Sequence, residues 1–154
     1  MTTITLHPDF RRGPVDRRVF GSFVEHLGRC VYTGIYEPGH PTADAHGFRR
    51  DVADLTRELG ATVLRYPGGN FVSNYVWEDA VGPVENRKPF LDLAWRTVEP
   101  NLVGTDEFLQ YCEREGIEAM MAVNLGTRGV AEAIALLEYC NGEAGTKWAD
   151  LRIA

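Results

Sequence analysis

Three apolar runs alternate along the chain with three stretches whose apolar residues recur at helical spacing. The runs are Val19-Phe20-Gly21-Ser22-Phe23-Val24, the segment 61–66 that begins Ala61-Thr62-Val63-Leu64, and the segment 117–124. Near-continuous apolar runs of this length predict buried strands. Between the first two, Phe48, Val52, Leu55 and Leu59 predict a helix ended by Gly60. Before the third, Thr105 is the expected cap of a helix that carries Asp106 and Glu107 in its first turn, an apolar face of Phe108, Leu109 and Cys112, and Gly116 at its end. After the third, Val130, Ala133, Ile134 and Leu137 predict a helix that stops at Asn141-Gly142. The last residues, Leu151-Arg152-Ile153-Ala154, come after this helix and a polar loop.

Strands alternating with helices argue for parallel pairing. The helix-to-strand turns at Gly60 and Gly116 are short, and the first two strand-to-helix loops are long. That asymmetry suits a (β/α)8 barrel, whose site lies on such loops. A doubly wound sheet gives the same alternation, so the pattern leaves both open. Eight units need roughly 250 residues. Three units with a fourth strand expected next, and an open edge on the third, read as part of a protein. Residues 2–6 alternate polar and apolar and suggest a short strand outside this sheet, followed by a polar connection with Pro8, Gly13 and Pro14.

Composition narrows the classes. The chain has 154 residues and a net charge of −6, which argues against a nucleic-acid partner. It has no glycine-rich loop followed by Lys-Ser or Lys-Thr. Cys30, Cys112 and Cys140 form no C-x-x-C pair, so they read as reduced thiols of a cytoplasmic protein. The first residues show no charged leader or long apolar core, and no stretch approaches the roughly 20 apolar residues that span a bilayer.

The chemistry gathers at strand ends. Arg65-Tyr66-Pro67-Gly68-Gly69-Asn70 breaks the second strand and leaves Asn70 just past it, where α/β proteins place ligand-binding groups. The Asn70 amide both donates and accepts, which suits a hydroxyl-rich ligand, and it also suits an Asx turn. Glu25 ends the first strand. It can bind sugar hydroxyls, ligate a metal, act as a base, or pair with Arg29 or Arg65. His26 reads as a satisfied structural histidine, because no ligand-spaced partner stands beside it; His40 and His46 lack a matching cluster as well. Asn124-Leu125-Gly126-Thr127 reads as a turn. Phe71, Tyr75, Trp77, Phe90 and Trp95 crowd the second loop, mainly as packing, with Trp95 the best ligand-contact candidate. Glu78, Asp79, Glu85, Asp92 and Glu99 read as solvated loop acids. No Ser/His/Asp or Cys/His triad can be placed.

The string 20–29, Phe-Gly-Ser-Phe-Val-Glu-His-Leu-Gly-Arg, then Val31-Tyr32-Thr33-Gly34-Ile35-Tyr36-Glu37-Pro38, resembles the N-terminal part of α-L-arabinofuranosidases of glycoside hydrolase family 51. Arg65-Tyr66-Pro67-Gly68-Gly69-Asn70-Phe71, Asn124-Leu125-Gly126-Thr127 and Glu138-Tyr139-Cys140-Asn141 match in the same order. The resemblance implies the first three βα units of a (β/α)8 TIM barrel over residues 19–154. It implies that residues 1–18 are a strand and linker belonging to an accessory β-sandwich. It further implies a retaining hydrolase that releases terminal arabinofuranosyl groups from arabinan or arabinoxylan oligosaccharides, cytoplasmic and homo-oligomeric when intact, without metal or cofactor. Glu25 and Asn70 match the family's sugar-binding glutamate and asparagine; Trp95 falls in a loop resembling the leaving-group side, a weaker transfer. Retaining hydrolysis needs two carboxylates roughly 5–5.5 Å apart. In the family these come from later strands, so no catalytic residue is expected in this chain, which alone is expected to be inactive. The competing reading is a non-enzymatic carbohydrate-binding or half-barrel module that assembles with a second chain.

Overall fold

Three parallel strands form the sheet that positions the loops of interest. The computed structural model describes residues 2–154. Strands β1 (Ser22–Phe23), β2 (Val63–Tyr66) and β5 (Glu118–Met121) lie in the order β1-β2-β5. Ser22 stands beside Leu64, and Val63 beside Glu118. Backbone hydrogen bonds carry the pairing past the strand ends, from Val24 N–H to the Arg65 carbonyl at 2.8 Å and from Ala122 N–H to the Tyr66 carbonyl at 2.7 Å. Helices α1 (Arg50–Leu59), α2 (Thr105–Glu115), α3 (Val130–Asn141) and α4 (Lys147–Ile153) come after the strands. Between β2 and α2 an antiparallel hairpin joins β3 (Phe90–Asp92) to β4 (Thr97–Glu99).

The first strand is shorter than the apolar run 19–24 suggests. Arg17–Phe20 is a 3-10 turn, capped by Asp16, whose Oδ1 accepts from the Arg18 N–H at 2.9 Å. Local capping turns Val19 and Phe20 away from a regular strand, and both are exposed, although the Phe20 carbonyl still accepts the Thr62 N–H at 3.4 Å. Gly21 then passes so close to β2 that a Cβ would lie 2.4 Å from Val63 Cγ1. Residues 2–6 form no strand. A strand needs a hydrogen-bonding neighbour, and none of the described residues lies beside this arm. Met1 of the 1–18 segment lies outside the described residues.

Gly60 and Gly116 end α1 and α2 in the left-handed conformation, as their spacing predicts. The cap of α2 differs from expectation. Gly104 occupies that position, and Glu107 Oε2 accepts its N–H at 2.8 Å. Thr105 is instead the first helical residue. The last segment is not a polar loop throughout, since α4 folds back on α3 and buries Ala149.

Two cores result. Val24, Val31, Phe48, Leu64, Tyr66, Phe108 and Tyr111 fill one, under the sheet. Phe71, Tyr75, Trp77, Leu136 and Tyr139 fill the other, between the second loop and α3. Each fully buried large side chain contributes about 1.5–3 kcal/mol. Helix α3 turns a different face inward from the one its spacing suggests: Ala135, Leu136 and Tyr139 are buried, whereas Val130, Ile134 and Leu137 are exposed. Apolar residues run round most of this helix, so periodicity alone does not select the inner stripe. In α1, Leu55 and Leu59 are exposed too.

Candidate sugar-binding site

Glu25 and Asn70 meet at the C-terminal ends of β1 and β2. The Glu25 side chain is buried, and its Oε1 accepts from two backbone amides, Gly69 N–H at 2.8 Å and Phe71 N–H at 2.9 Å. These amides flank Asn70, so the carboxylate holds the turn on both sides of it. Gly68, at φ +144°, makes this approach possible; a Cβ there would sit 2.3 Å from Glu25 Cγ. Arg65 steadies the same turn by donating from Nη2 to the Gly68 carbonyl at 3.1 Å, its guanidinium lying 5.0 Å from the centre of the Phe23 ring. Glu25 therefore pairs with backbone amides and with neither Arg29 nor Arg65. The Asn70 side chain is exposed and caps nothing in the adjoining 3-10 turn Phe71–Asn74. Its amide makes no hydrogen bond among the described residues, so both its donor and its acceptor are available.

His26 lies next to Glu25 and is fully engaged. Its Nδ1 is 2.9 Å from Glu99 Oε2 and its Nε2 is 2.8 Å from the Tyr66 hydroxyl. Its ring stacks on Phe71 with centroids 4.6 Å apart. Glu99 is not a solvated loop acid. It is 4% exposed, and its Oε1 accepts from the Tyr32 hydroxyl and, at 2.8 Å, from Asn101 N–H. Burial, reinforced by Glu99, holds the Tyr32 hydroxyl protonated far above the ordinary range. Asp92 is buried too, its Oδ2 accepting Trp95 N–H at 2.7 Å. Glu78 and Asp79 are paired, with Arg128 and Lys88 respectively. Nothing in the sequence near these acids names their partners, because the His26–Glu99 contact joins residues 73 positions apart.

Trp95 sits in the turn of the hairpin, half-buried against the second core, with its indole N–H unpartnered among the described residues. The structure places it on an element separate from the Glu25–Asn70 pair. Asn124 is committed to its turn. Its Oδ1 accepts from Gly126 and Thr127 N–H at 3.0 Å each, and its Nδ2 donates to the Tyr75 carbonyl at 2.9 Å. Among the described residues no cluster of His, Cys, Asp or Glu is arranged to hold a metal ion. No helix among them is long and apolar enough to cross a membrane. The arrangement can hold a small polar ligand; it offers no pair of free carboxylates at the ends of these three strands.

Comparison with known proteins gives this arrangement a context. Residues 55–154 match the alpha-L-arabinofuranosidase 1 domain. An intracellular exo-alpha-(1->5)-L-arabinofuranosidase of Streptomyces lividans is 63% identical over 150 residues, which are 96% of this chain and 23% of that protein. An exo-alpha-(1->6)-L-arabinofuranosidase of Bifidobacterium longum is 60% identical over 152 residues, 98% of this chain and 29% of that protein. Among solved structures, a family 51 alpha-L-arabinofuranosidase from Bifidobacterium longum superposes with a TM-score of 0.89 at 62% identity, covering 90% of this chain and 27% of that one. The chain thus shares their α/β fold and spans less than a third of the length of these relatives.

Proposed function

The chain belongs to the α-L-arabinofuranosidase family that this domain marks, glycoside hydrolase family 51, and from that premise we propose that it forms the sugar-holding N-terminal part of a retaining exo-arabinofuranosidase. The observation that carries the reading is the clamp at Asn70: a buried carboxylate fixes the turn from both sides, while the exposed Asn70 amide has no partner among the described residues. Glu25 and Asn70 bind hydroxyls of a terminal arabinofuranosyl group, and Trp95 stands on the leaving-group side. Residues 19–154 form the first three βα units of a (β/α)8 barrel, and residues 1–18 lead to a β-sandwich. The exposed apolar residues Ile4 and Leu6 on the arm, and Val130, Ile134 and Leu137 on α3, support further covering elements.

On this reading the acid/base and the nucleophile come from outside these 154 residues. They lie about 5–5.5 Å apart and act through a covalent arabinosyl intermediate. Arabinan or arabinoxylan oligosaccharides are the substrates, the intact protein is a homo-oligomer, and no metal or cofactor takes part. The cytoplasm is its location, in keeping with a relative named as intracellular.

The test is a paired assay of arabinose release from an aryl α-L-arabinofuranoside. A protein of full family length is expected to be active and the 154-residue chain inactive. Inactivity of the longer protein overturns the proposed function. Release by the chain alone overturns the assignment of the catalytic carboxylates. An inactive chain that is stable and recruits a second protein favours the half-barrel module.

A further inference from the structure

We propose that Glu99 is a positioning residue that locks the β3–β4 hairpin to the sugar-holding strand ends and so sets the place of Trp95. The inference rests on the proposed leaving-group role of Trp95.

Glu99 closes the base of the hairpin, opposite Phe90 in the register. Its carboxylate reaches out of the hairpin in two directions. One oxygen pairs with His26 Nδ1 at 2.9 Å, and the other takes the Tyr32 hydroxyl and the Asn101 N–H. His26 comes directly after Glu25, and its ring lies on Phe71, whose N–H donates to Glu25 Oε1 at 2.9 Å. Phe90 approaches the same Phe71 ring at 5.9 Å between centroids. The hairpin base and the Asn70 turn therefore share Phe71 and His26 as a common wall. A shift of the hairpin disturbs that wall, and loss of the Glu99 contacts releases the hairpin from it.

A second anchor acts elsewhere. Arg87 donates to the carbonyls of Gly82 and Asn101 and to both oxygens of Glu107, tying the loop to the start of α2. That anchor holds the chain before and after the hairpin. Among the described residues, the His26–Glu99 contact joins the hairpin itself to a strand end. At the other end of the hairpin, the Trp95 indole N–H and Asp92 Oδ1 are buried without partners among the described residues. The tip is held by the packing of Trp95 against the second core and by its backbone N–H on Asp92 Oδ2, and Glu99 fixes the base from which the tip extends.

The experiment uses the full-length enzyme and a cycle of E99Q, W95F and the double variant, with KM and kcat measured on an arabino-oligosaccharide and on an aryl arabinofuranoside. We expect E99Q to raise KM for the oligosaccharide by about 10-fold, the scale of one charge-assisted hydrogen bond, with kcat on the aryl substrate within about twofold of wild type. In the W95F background the same substitution is expected to change KM by less than about twofold, because residues coupled through one backbone element are non-additive. A merely structural Glu99 lowers the folded fraction, which reduces kcat on both substrates alike and leaves KM unchanged; that result overturns the proposal. An unchanged KM, or an equal KM effect with and without Trp95, overturns it as well. Should E99Q fail to fold, Y32F removes one donor and keeps the others, and the same pattern is expected at roughly two- to threefold. A wild-type protein that releases no arabinose overturns the activity and this role together. An active wild type with indifferent variants overturns the role alone.

Discussion

Glu25 fixes Asn70 without a hydrogen bond to its side chain: one carboxylate oxygen accepts the amides of Gly69 and Phe71, on either side of it. On the proposed reading the carboxylate has a structural duty and a binding duty. Its Oε1 is committed to the turn, and its Oε2 has no hydrogen bond among the described residues.

Gly68→Ala is expected to reproduce the loss of Glu25. A methyl group there would stand 2.3 Å from Glu25 Cγ, at a φ of +144° that side chains rarely adopt. The carboxylate must then leave the turn. Turnover of an aryl arabinofuranoside is expected to fall about 10-fold or more in the full-length enzyme, with a lowered melting temperature.

Glu25→Gln and Glu25→Ala are expected to differ. Glutamine keeps an acceptor for the two amides, so stability changes little, while kcat/KM falls by about 10- to 100-fold through loss of a charged sugar contact. Alanine also strands the buried Phe71 N–H, adding about 1–3 kcal/mol of destabilisation. Kinetics and urea unfolding of both variants check this; equal stability of the two contradicts the clamp.

Arg87→Met tests the loop anchor. The Arg87 side chain is 3% exposed and reaches Glu107 Oε1 at 2.7 Å. Glu107 is 22% exposed and keeps the Gly104 N–H, so about 2–3 kcal/mol of stability is expected to go with the charge-assisted hydrogen bonds of Arg87. Denaturant titration measures it, and a loss below about 1 kcal/mol, as for a surface pair, contradicts the assignment.

Cys112 is expected to resist alkylation. Burial pushes its thiol from 9.0 up to about 12. Only the thiolate reacts, so peptide mapping after iodoacetamide at pH 8 should find Cys112 unlabelled until the protein unfolds. The raised value also fixes a sign. Between pH 9.0 and about 12 the unfolded thiol gives up its proton and the folded one keeps it, so this group makes stability fall as pH rises through that window.

Much of this was legible in the sequence where local chemistry decides the outcome. The run into Pro67 and two glycines marks the end of β2, and Gly60 and Gly116 mark helix ends, because strand breaking and left-handed caps are local properties. Val19 and Phe20 misled because an apolar run does not reveal that Asp16 caps a 3-10 turn there. Glu99 and Asp92 misled because an acid's burial depends on partners supplied by the fold, here His26, Tyr32 and Asn101 for Glu99. The hairpin escaped notice for want of an Asn-Gly or Asp-Gly turn; Arg96 takes the left-handed conformation in its loop.

The sharpest measurement concerns Asn70→Ala in the full-length enzyme. Its side chain is exposed and caps nothing, so the melting temperature should hold, with stability changed by less than about 0.5 kcal/mol. In the same samples kcat/KM for an aryl α-L-arabinofuranoside is expected to fall by about 10-fold or more, the cost of a lost polar contact to the sugar. An unchanged kcat/KM in a stable protein would contradict the claim that this strand end holds the arabinofuranosyl group.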